Sequence, residues 1–483
     1  METENNLGRL LALLLITLAM CLGLSGLPAG TLFGYEIKKI DLLSDIRIKE
    51  KSSSLDSLRV LLERQDQETD SVIMPERTAL QGAGSGSAVS LVRDSLYNVM
   101  SSVQGADSAG IRIEDYSIGH TGLRRFFAAL NNSGEMGRPV RIAFMGDSFI
   151  EGDIVVADFR DALQKRFGGH GVGFVPVTSD AAQFRPTIDQ KEEGWTTYSV
   201  LQNRQYTYAL SGMLFEAHQD VAGLSFKTVD RYAALKRVSS LKFLYTKSEQ
   251  TEMQLVYHHA ADTLTQVLPP TLTISQFVLN DTISEGCLTF RRAKGFRALG
   301  LALEDDKGVV VDNYSLRGNS GLLLEYLDPA DCESLNKIRP YDLIILQYGL
   351  NVVNEEMLEY GWYRQRMVGV IGHIQRCFPG SDLLLLSVSD RAYQHDGEVS
   401  TMPAVLAMLH TQRQIARQTH IPFWNVFGAM GGENSMVRYV ENNWASKDYT
   451  HLSFRGGREI AKRLMNALMA EKAFYDEAEK TIR

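Results

Sequence analysis

Ser148 stands in Gly146-Asp147-Ser148, directly after the apolar run Val140 to Met145 and just before a pattern of helical period that opens at Asp153. Such a run is long enough for one buried strand. A serine at the C-terminal end of a parallel strand, ahead of a helix, sits where open α/β sheets place their ligands. Its hydroxyl would be exposed and its backbone N–H would point outwards, the geometry an acyl-transfer nucleophile needs. Alone, the tripeptide reads as a turn. Three later stretches change that. Arg317-Gly318-Asn319-Ser320-Gly321 follows a predicted strand, and a glycine there lets backbone approach a ligand closely. Gln347-Tyr348-Gly349-Leu350-Asn351 ends the strand that begins at Tyr341, and Asp448-Tyr449-Thr450-His451 comes just before the last helix. Together, and in this order, the four pieces make a hydrolase.

The four blocks resemble the SGNH (GDSL-like) hydrolase family, which supplies Ser, Gly, Asn and a D-x-x-H pair in the same order. The resemblance covers Thr121 to about Val177 and then Val309 to Ala470. It implies a three-layer α/β fold with a parallel, flavodoxin-like sheet, and esterase chemistry with no metal and no cofactor. Ser148 matches the family's nucleophile, and Asp448 and His451 match the other triad members. The oxyanion hole would combine Ser148, Gly321 and Asn351, with Gly318 as the second choice of glycine. One position departs from the pattern: Val352 replaces the second acid of the usual Gly-x-Asn-Asp, which keeps the amide but bears on the loop geometry. The chemistry fits these roles. Asp448 is close enough in sequence to hold one imidazole nitrogen of His451, leaving the other to take the Ser148 proton. General base action of this kind is worth roughly 10² to 10⁴ in rate. Losing one oxyanion donor costs on the order of 10² to 10³.

The elements that position these residues alternate. A helix is expected over Thr121 to Leu130, the Ser148 strand next, then a helix from about Asp153 to Phe167 ended by Gly168-Gly169. Asp153 reads as the cap of the helix it opens. From about Gln183 to Asp306 helical period gives way to short β-rich runs, at Gln205 to Leu210, Leu241 to Tyr245, Met253 to His258, Thr271 to Leu279, Leu288 to Arg292 and Ala298 to Leu303. That spacing predicts an antiparallel sandwich. The α/β pattern resumes at Val309, with strands at Tyr341 to Gln347, Leu383 to Val388 and Pro422 to Val426. Helices are expected over Met357 to Cys377, Pro403 to Thr419 and Ser453 to Ala470. The fold class is therefore α/β, a parallel sheet with helices on both faces and an inserted antiparallel β-sandwich. The domains expected are an anchor (1–39), a flexible linker (40–115), two catalytic pieces (116–182 and 307–483) and the insertion (183–306).

A catalytic domain split in this way looks like the peptidoglycan O-acetylesterases and related envelope-polysaccharide deacetylases, whose inserted domain is similar to a carbohydrate-binding module. GDSFIEGD and Phe427 to Gly432 resemble that branch too. The resemblance implies removal of acetyl from an O-acetylated cell-wall or secreted glycan through an acyl-serine intermediate. Two alternatives stay open: an acetyltransferase with the same triad, and a non-catalytic envelope-binding protein. Trp195, Trp362 and Trp444 read as core residues. His258-His259 lacks the partner ligands of a metal site.

Leu10 to Tyr35 carries no charge and is long enough to span a bilayer. It reads as an uncleaved N-terminal membrane helix, with a cleaved signal peptide as the rival, since Arg9 is the one basic side chain ahead of it and no clear A-x-A site comes after it. Lys38, Lys39, Arg47, Lys49 and Lys51 count against export of the chain beyond the span, so charge leaves orientation open. The expected location is the bacterial envelope, with the catalytic part facing the periplasm or exterior. Gly82 to Ser87 (GAGSGS) is linker composition; it lacks the Lys-Ser/Thr ending of a phosphate loop. A net charge of −8 over 483 residues gives no electrostatic reason to expect nucleic acid as a partner. Cys21, Cys287, Cys332 and Cys377 show no CxxC spacing and suggest neither zinc nor a disulfide framework.

Overall fold

A computed structural model of the protein describes residues 30–32, 35–37, 112–258, 261–395 and 397–482. Val140–Gly146 is buried at every position, and a strand with no polar face must be covered on both sides. It lies within a six-stranded sheet, in the order Val309–Ser315, Val140–Gly146, Leu343–Gln347, Asp382–Leu386, Pro422–Trp424 and Ile113–Asp115. The first five strands are parallel. Ile113–Asp115, at the end of the stretch read as linker, pairs antiparallel on the edge. Helices Gly361–Cys377 and Pro403–Thr419 contribute to one apolar cluster, and Arg124–Asn131, Val156–Phe167 and Phe454–Ile482 to a second. The result is a three-layer α/β architecture.

Chain order across the parallel strands reverses between Val140–Gly146 and Leu343–Gln347. Ligands of open α/β sheets bind at such a switch point, outside the carboxyl ends of the strands. Register places Ser315, Gly146 and Gln347 side by side. Three of the four chemistry-bearing loops thus leave the sheet at one level. The fourth is brought in by the last helix, whose Gly457 lies so close to the Ile154 carbonyl that a Cβ would stand 1.9 Å from that oxygen. This helix runs on to Ile482, past the expected end at Ala470, because Phe474 and Ala478 are still buried.

Between Gly173 and Glu304 two antiparallel sheets face each other. One contains Trp195–Ser199, Met213–Ala217, Arg297–Glu304, Val238–Lys247 and Ser275–Ile283, with Gly173–Pro176 also paired to Arg297–Glu304. The other contains Ile188–Glu193, Val221–Thr228, Glu285–Arg291, Glu252–Tyr257 and Asp262–Val267. Phe243, Phe290 and Phe296 cluster between them, with ring centroids 4.8 and 5.4 Å apart along the chain of contacts. Trp195 completes this core, edge-on to Phe290. Gln205 to Leu210 is not a strand, contrary to the expectation. Tyr208, Ala209 and Leu210 instead bury against the catalytic part, where the Tyr208 carbonyl accepts the Asp328 N–H at 2.8 Å.

Buried charges join the sandwich to the sheet. Glu304, from the sandwich, meets Arg141 at 2.7 Å, Arg339 at 2.7 Å and Lys242 at 2.6 Å. Arg339 also pairs with Asp312 at 2.7 Å. Asp153 departs from expectation. The helix after Ser148 starts at Val156, with no side-chain cap, and Asp153 is fully buried at φ +66°. Its carboxylate accepts from Arg160 (3.1 Å), Arg185 (3.1 Å), Thr187 (2.5 Å) and Asn313 (2.7 Å). Solvation of a buried charge demands partners, and here they come from three separate segments.

The apolar stretch Leu10 to Tyr35 lies outside the described residues except near its end, where Gly30–Leu32 pairs antiparallel with Tyr35–Ile37. Those residues are strand, not helix. Among the described residues no helix is long and apolar enough to cross a membrane. The GAGSGS run also lies outside the described residues.

Candidate active site

The turn that presents Ser148 is built by the residue before it. Asp147 Oδ1 accepts the Phe149 N–H at 2.9 Å, a local side-chain turn that lifts the chain off the strand end. Ser148 Oγ lies 3.1 Å from His451 Nε2. His451 Nδ1 lies 2.7 Å from Asp448 Oδ2. The other carboxylate oxygen, Oδ1, accepts the N–H groups of Thr450 (3.0 Å) and His451 (3.1 Å). Asp448 is therefore at once the turn residue and the partner of the imidazole. Partial burial acts to raise its pKa, but the hydrogen bonds from the His451 ring and these two N–H groups outweigh that and hold it below the usual carboxylate range. An ionised Asp448 is the form that orients an imidazole and stabilises its cation.

Asn351 reaches the same turn from the next strand. Its Nδ2 donates to Asp147 Oδ2 at 2.9 Å and to the Asn319 carbonyl at 3.1 Å. Asp147 is buried, and that burial pushes its pKa up to about 6 despite the hydrogen bonds from Phe149 and Asn351. Val352, the departure from the usual acid, packs against the apolar cluster while its N–H closes a turn onto the Gly349 carbonyl at 2.9 Å.

The two glycines of the Arg317–Gly321 loop differ in what is left free. Gly321 is buried beneath Tyr348, and its N–H donates to Asn319 Oδ1 at 2.9 Å. Gly318 is exposed at φ +80°, with open space where a Cβ would stand. Among the described residues the Gly318 N–H has no acceptor, and neither has that of Ser148. Of the two glycines it is thus Gly318 that keeps an open backbone donor, as Ser148 does.

Two further side chains frame the rim. Glu151 and Arg317 form an ion pair between the loop after Ser148 and the glycine loop. Asp147, Asn319 and this pair were not singled out from sequence; the position of Asp147 directly before Ser148 was the available signal. Of the tyrosines in Gln205 to Leu210, Tyr206 is half-buried, its ring tilted against Tyr198 with centroids 4.4 Å apart and the Arg297 guanidinium 4.6 Å over it. Tyr208 is buried, its hydroxyl donating to the Asn203 carbonyl at 2.5 Å. Trp444 packs edge-on against Tyr439 at 5.2 Å.

No family model matches the chain. No curated protein matches it either. Among solved structures, a peptidoglycan O-acetylesterase superposes with a TM-score of 0.59 at 20% identity, covering 76% of this chain and 99% of that one. The chain has the SGNH-hydrolase fold. A family two carbohydrate esterase from Cellvibrio japonicus overlays more loosely, with a TM-score of 0.26 at 8% identity, over 60% of this chain and 99% of that one. An acetyl xylan esterase does so with a TM-score of 0.23 at 15% identity, over 33% of this chain and 81% of that one. On the SGNH fold, a hydroxyl, an imidazole and a carboxylate in sequence beside two open backbone N–H groups form an arrangement able to carry out acyl transfer.

Proposed function

We propose that the protein is a serine esterase that removes O-acetyl groups from a cell-envelope glycan. The observation that carries this reading is the continuous Ser148–His451–Asp448 hydrogen-bond chain at the switch point of the sheet. The likeness of the fold, over 76% of this chain, to a peptidoglycan O-acetylesterase supports the choice of an acetylated glycan.

In this mechanism Ser148 Oγ attacks the acetyl carbonyl as His451 Nε2 takes its proton. The carbonyl oxygen becomes negative and is met by the N–H groups of Ser148 and Gly318; the Asn351 amide joins them by releasing the Asp147 carboxylate or the Asn319 carbonyl, to which its two N–H bonds are given. His451 then gives the proton to the departing sugar oxygen, leaving acetyl on Ser148. Water, deprotonated by His451, attacks the acetyl-serine, and the proton returns to Ser148 as acetate leaves. Gly318 takes the place expected for Gly321, whose N–H is already held by Asn319.

The sandwich would hold polymer near Ser148, acting like a carbohydrate-binding module and contributing binding remote from the scissile ester. The apolar residues ahead of strand Gly30–Leu32, Leu10 to Ala29, would tether the enzyme to the bacterial membrane, with its catalytic part in the periplasm or outside.

The test is acetate release from O-acetylated peptidoglycan, an acetylated exopolysaccharide and a small aryl acetate, with a non-acetylated glycan acceptor added in a parallel series. Release from a glycan into water is expected. Acetyl appearing on the acceptor in excess of free acetate would replace hydrolysis by transfer, and inertness towards every ester would remove the enzyme reading.

A further inference from the structure

A cavity of about 390 Å³ lies between the sandwich and the rim that carries Ser148. That is within the range of small-ligand sites, roughly 300 to 1,000 Å³. Its wall includes Glu151, three residues after Ser148, and Arg317, the residue before Gly318. Whatever occupies it is therefore a near neighbour of the proposed acyl site.

Arg185 lines this cavity and is 9% exposed. Its Nε donates to Asp153 at 3.1 Å and to Thr187 Oγ1 at 3.1 Å. The outer fork is unused: Nη2 is buried without an acceptor, and Nη1 has none among the described residues. A buried guanidinium with its paired donors empty is unfavourable unless something completes it.

Among the described residues no acid hydrogen-bonds these nitrogens. Asp153 already serves Arg160 and Arg185 together, one carboxylate between two cations. Asp312 is taken up by Arg339, Tyr341 and the Phe174 N–H. Of the two acids in the cavity wall, Glu151 pairs with Arg317, and the field of Asp180 also falls on Arg317. The outer nitrogens of Arg185 are left without an acidic partner among the described residues. The rest of its wall is suited to a sugar ring, with hydroxyls at Ser179, Thr197 and Ser211 and aromatic carbon at Phe174 and Tyr314.

We propose that this cavity is a subsite for a carboxylate-bearing sugar of the acetylated glycan, whose carboxylate is received by the outer fork of Arg185. A guanidinium N–H that meets a carboxylate makes a charge-assisted bond roughly twice as strong as a neutral one. This rests on the esterase reading above and narrows its substrate to acidic glycans. A uronic acid or a lactyl ether would supply the same group.

The experiment compares kcat/KM on an acetylated polyuronate with kcat/KM on the same polymer after its carboxyls are reduced to primary alcohols. A second pair is acetylated peptidoglycan stripped of peptide, with its lactyl carboxyls free or amidated. The expected result is a preference of about tenfold or more for the free carboxylate in at least one pair, as one charged hydrogen-bonded contact is worth; which pair shows it identifies the source. In Arg185→Gln that preference should collapse towards unity, read as a ratio within one variant so that general damage cancels. Should Arg185→Gln fail to fold, Thr197→Trp, which places bulk in the cavity, should collapse the same ratio. Equal rates on both members of each pair would overturn the subsite and leave the esterase standing. A preference that survives both substitutions would overturn the assignment to this cavity. Hydrolysis of aryl acetate with no release from any glycan would instead overturn the function on which it rests.

Discussion

Asn351 Nδ2 donates to Asp147 Oδ2 at 2.9 Å, tying the loop after one central strand to the turn after its neighbour. The residue that shapes the Ser148 turn thus also aims the amide proposed for the oxyanion hole. Both groups sit where the sheet reverses its order, so a small shift between the two strands would separate them.

Asp147 is pushed up to about 6 by burial, against an ordinary 3.8. A carboxyl raised on folding favours the native state while it is protonated. That contribution is full below the unfolded value and is lost as pH rises through about 6. Asp147→Asn removes the titration. The melting temperature of the variant relative to the parent should therefore rise between pH 4 and pH 8, by the equivalent of at most about 3 kcal/mol. A difference that stays constant across that range would show that Asp147 is not protonated on folding.

Ser148→Ala should melt as the parent does but lose acyl transfer on every ester. A serine-directed fluorophosphonate should label the parent at Ser148 alone, located by peptide mass mapping. Labelling at another serine, with activity retained in the alanine variant, would move the nucleophile elsewhere.

Asp448→Asn should cut kcat by tenfold to about 10⁴ with a smaller change in KM, because it disturbs the imidazole's orientation and the stabilisation of its cation. Steady-state kinetics on an aryl acetate suffice. A kcat within twofold of the parent would reduce Asp448 to the turn residue that its bonds to the Thr450 and His451 N–H groups also make it.

Asp153→Ala should destabilise the protein by about 3 to 5 kcal/mol, the usual penalty for stripping the partner from buried charges. Arg160 would lose its carboxylate, and so would Arg185. Chemical denaturation reads this directly. A loss below 1 kcal/mol would mean that water takes over the role of the acid.

The chain by itself determined what depends on neighbours in sequence. A mostly apolar run before Gly146-Asp147-Ser148 specified a buried strand ending at a serine, and the three-residue step from Asp448 to His451 kept acid and imidazole within one turn. The alternation of strand and helix specified the layers. Tertiary structure decided what depends on partners far along the chain. Gly318 and Gly321 look alike in sequence, and only the side chain of Asn319, folded back on Gly321, distinguishes their N–H groups. Asp153 looked like a helix cap because its nearest neighbours suggest one, whereas Arg185, Thr187 and Asn313 arrive from distant segments. Tyr208 follows an alternating pattern that would suit a strand, yet it docks on the catalytic part. Ile188–Glu193 carries almost no apolar residues because it is an edge strand that buries little, so it left no pattern to read. Periodicity and turn chemistry act over a few residues, while the pairing of buried charges and of strand edges is set by packing between residues that sequence keeps far apart.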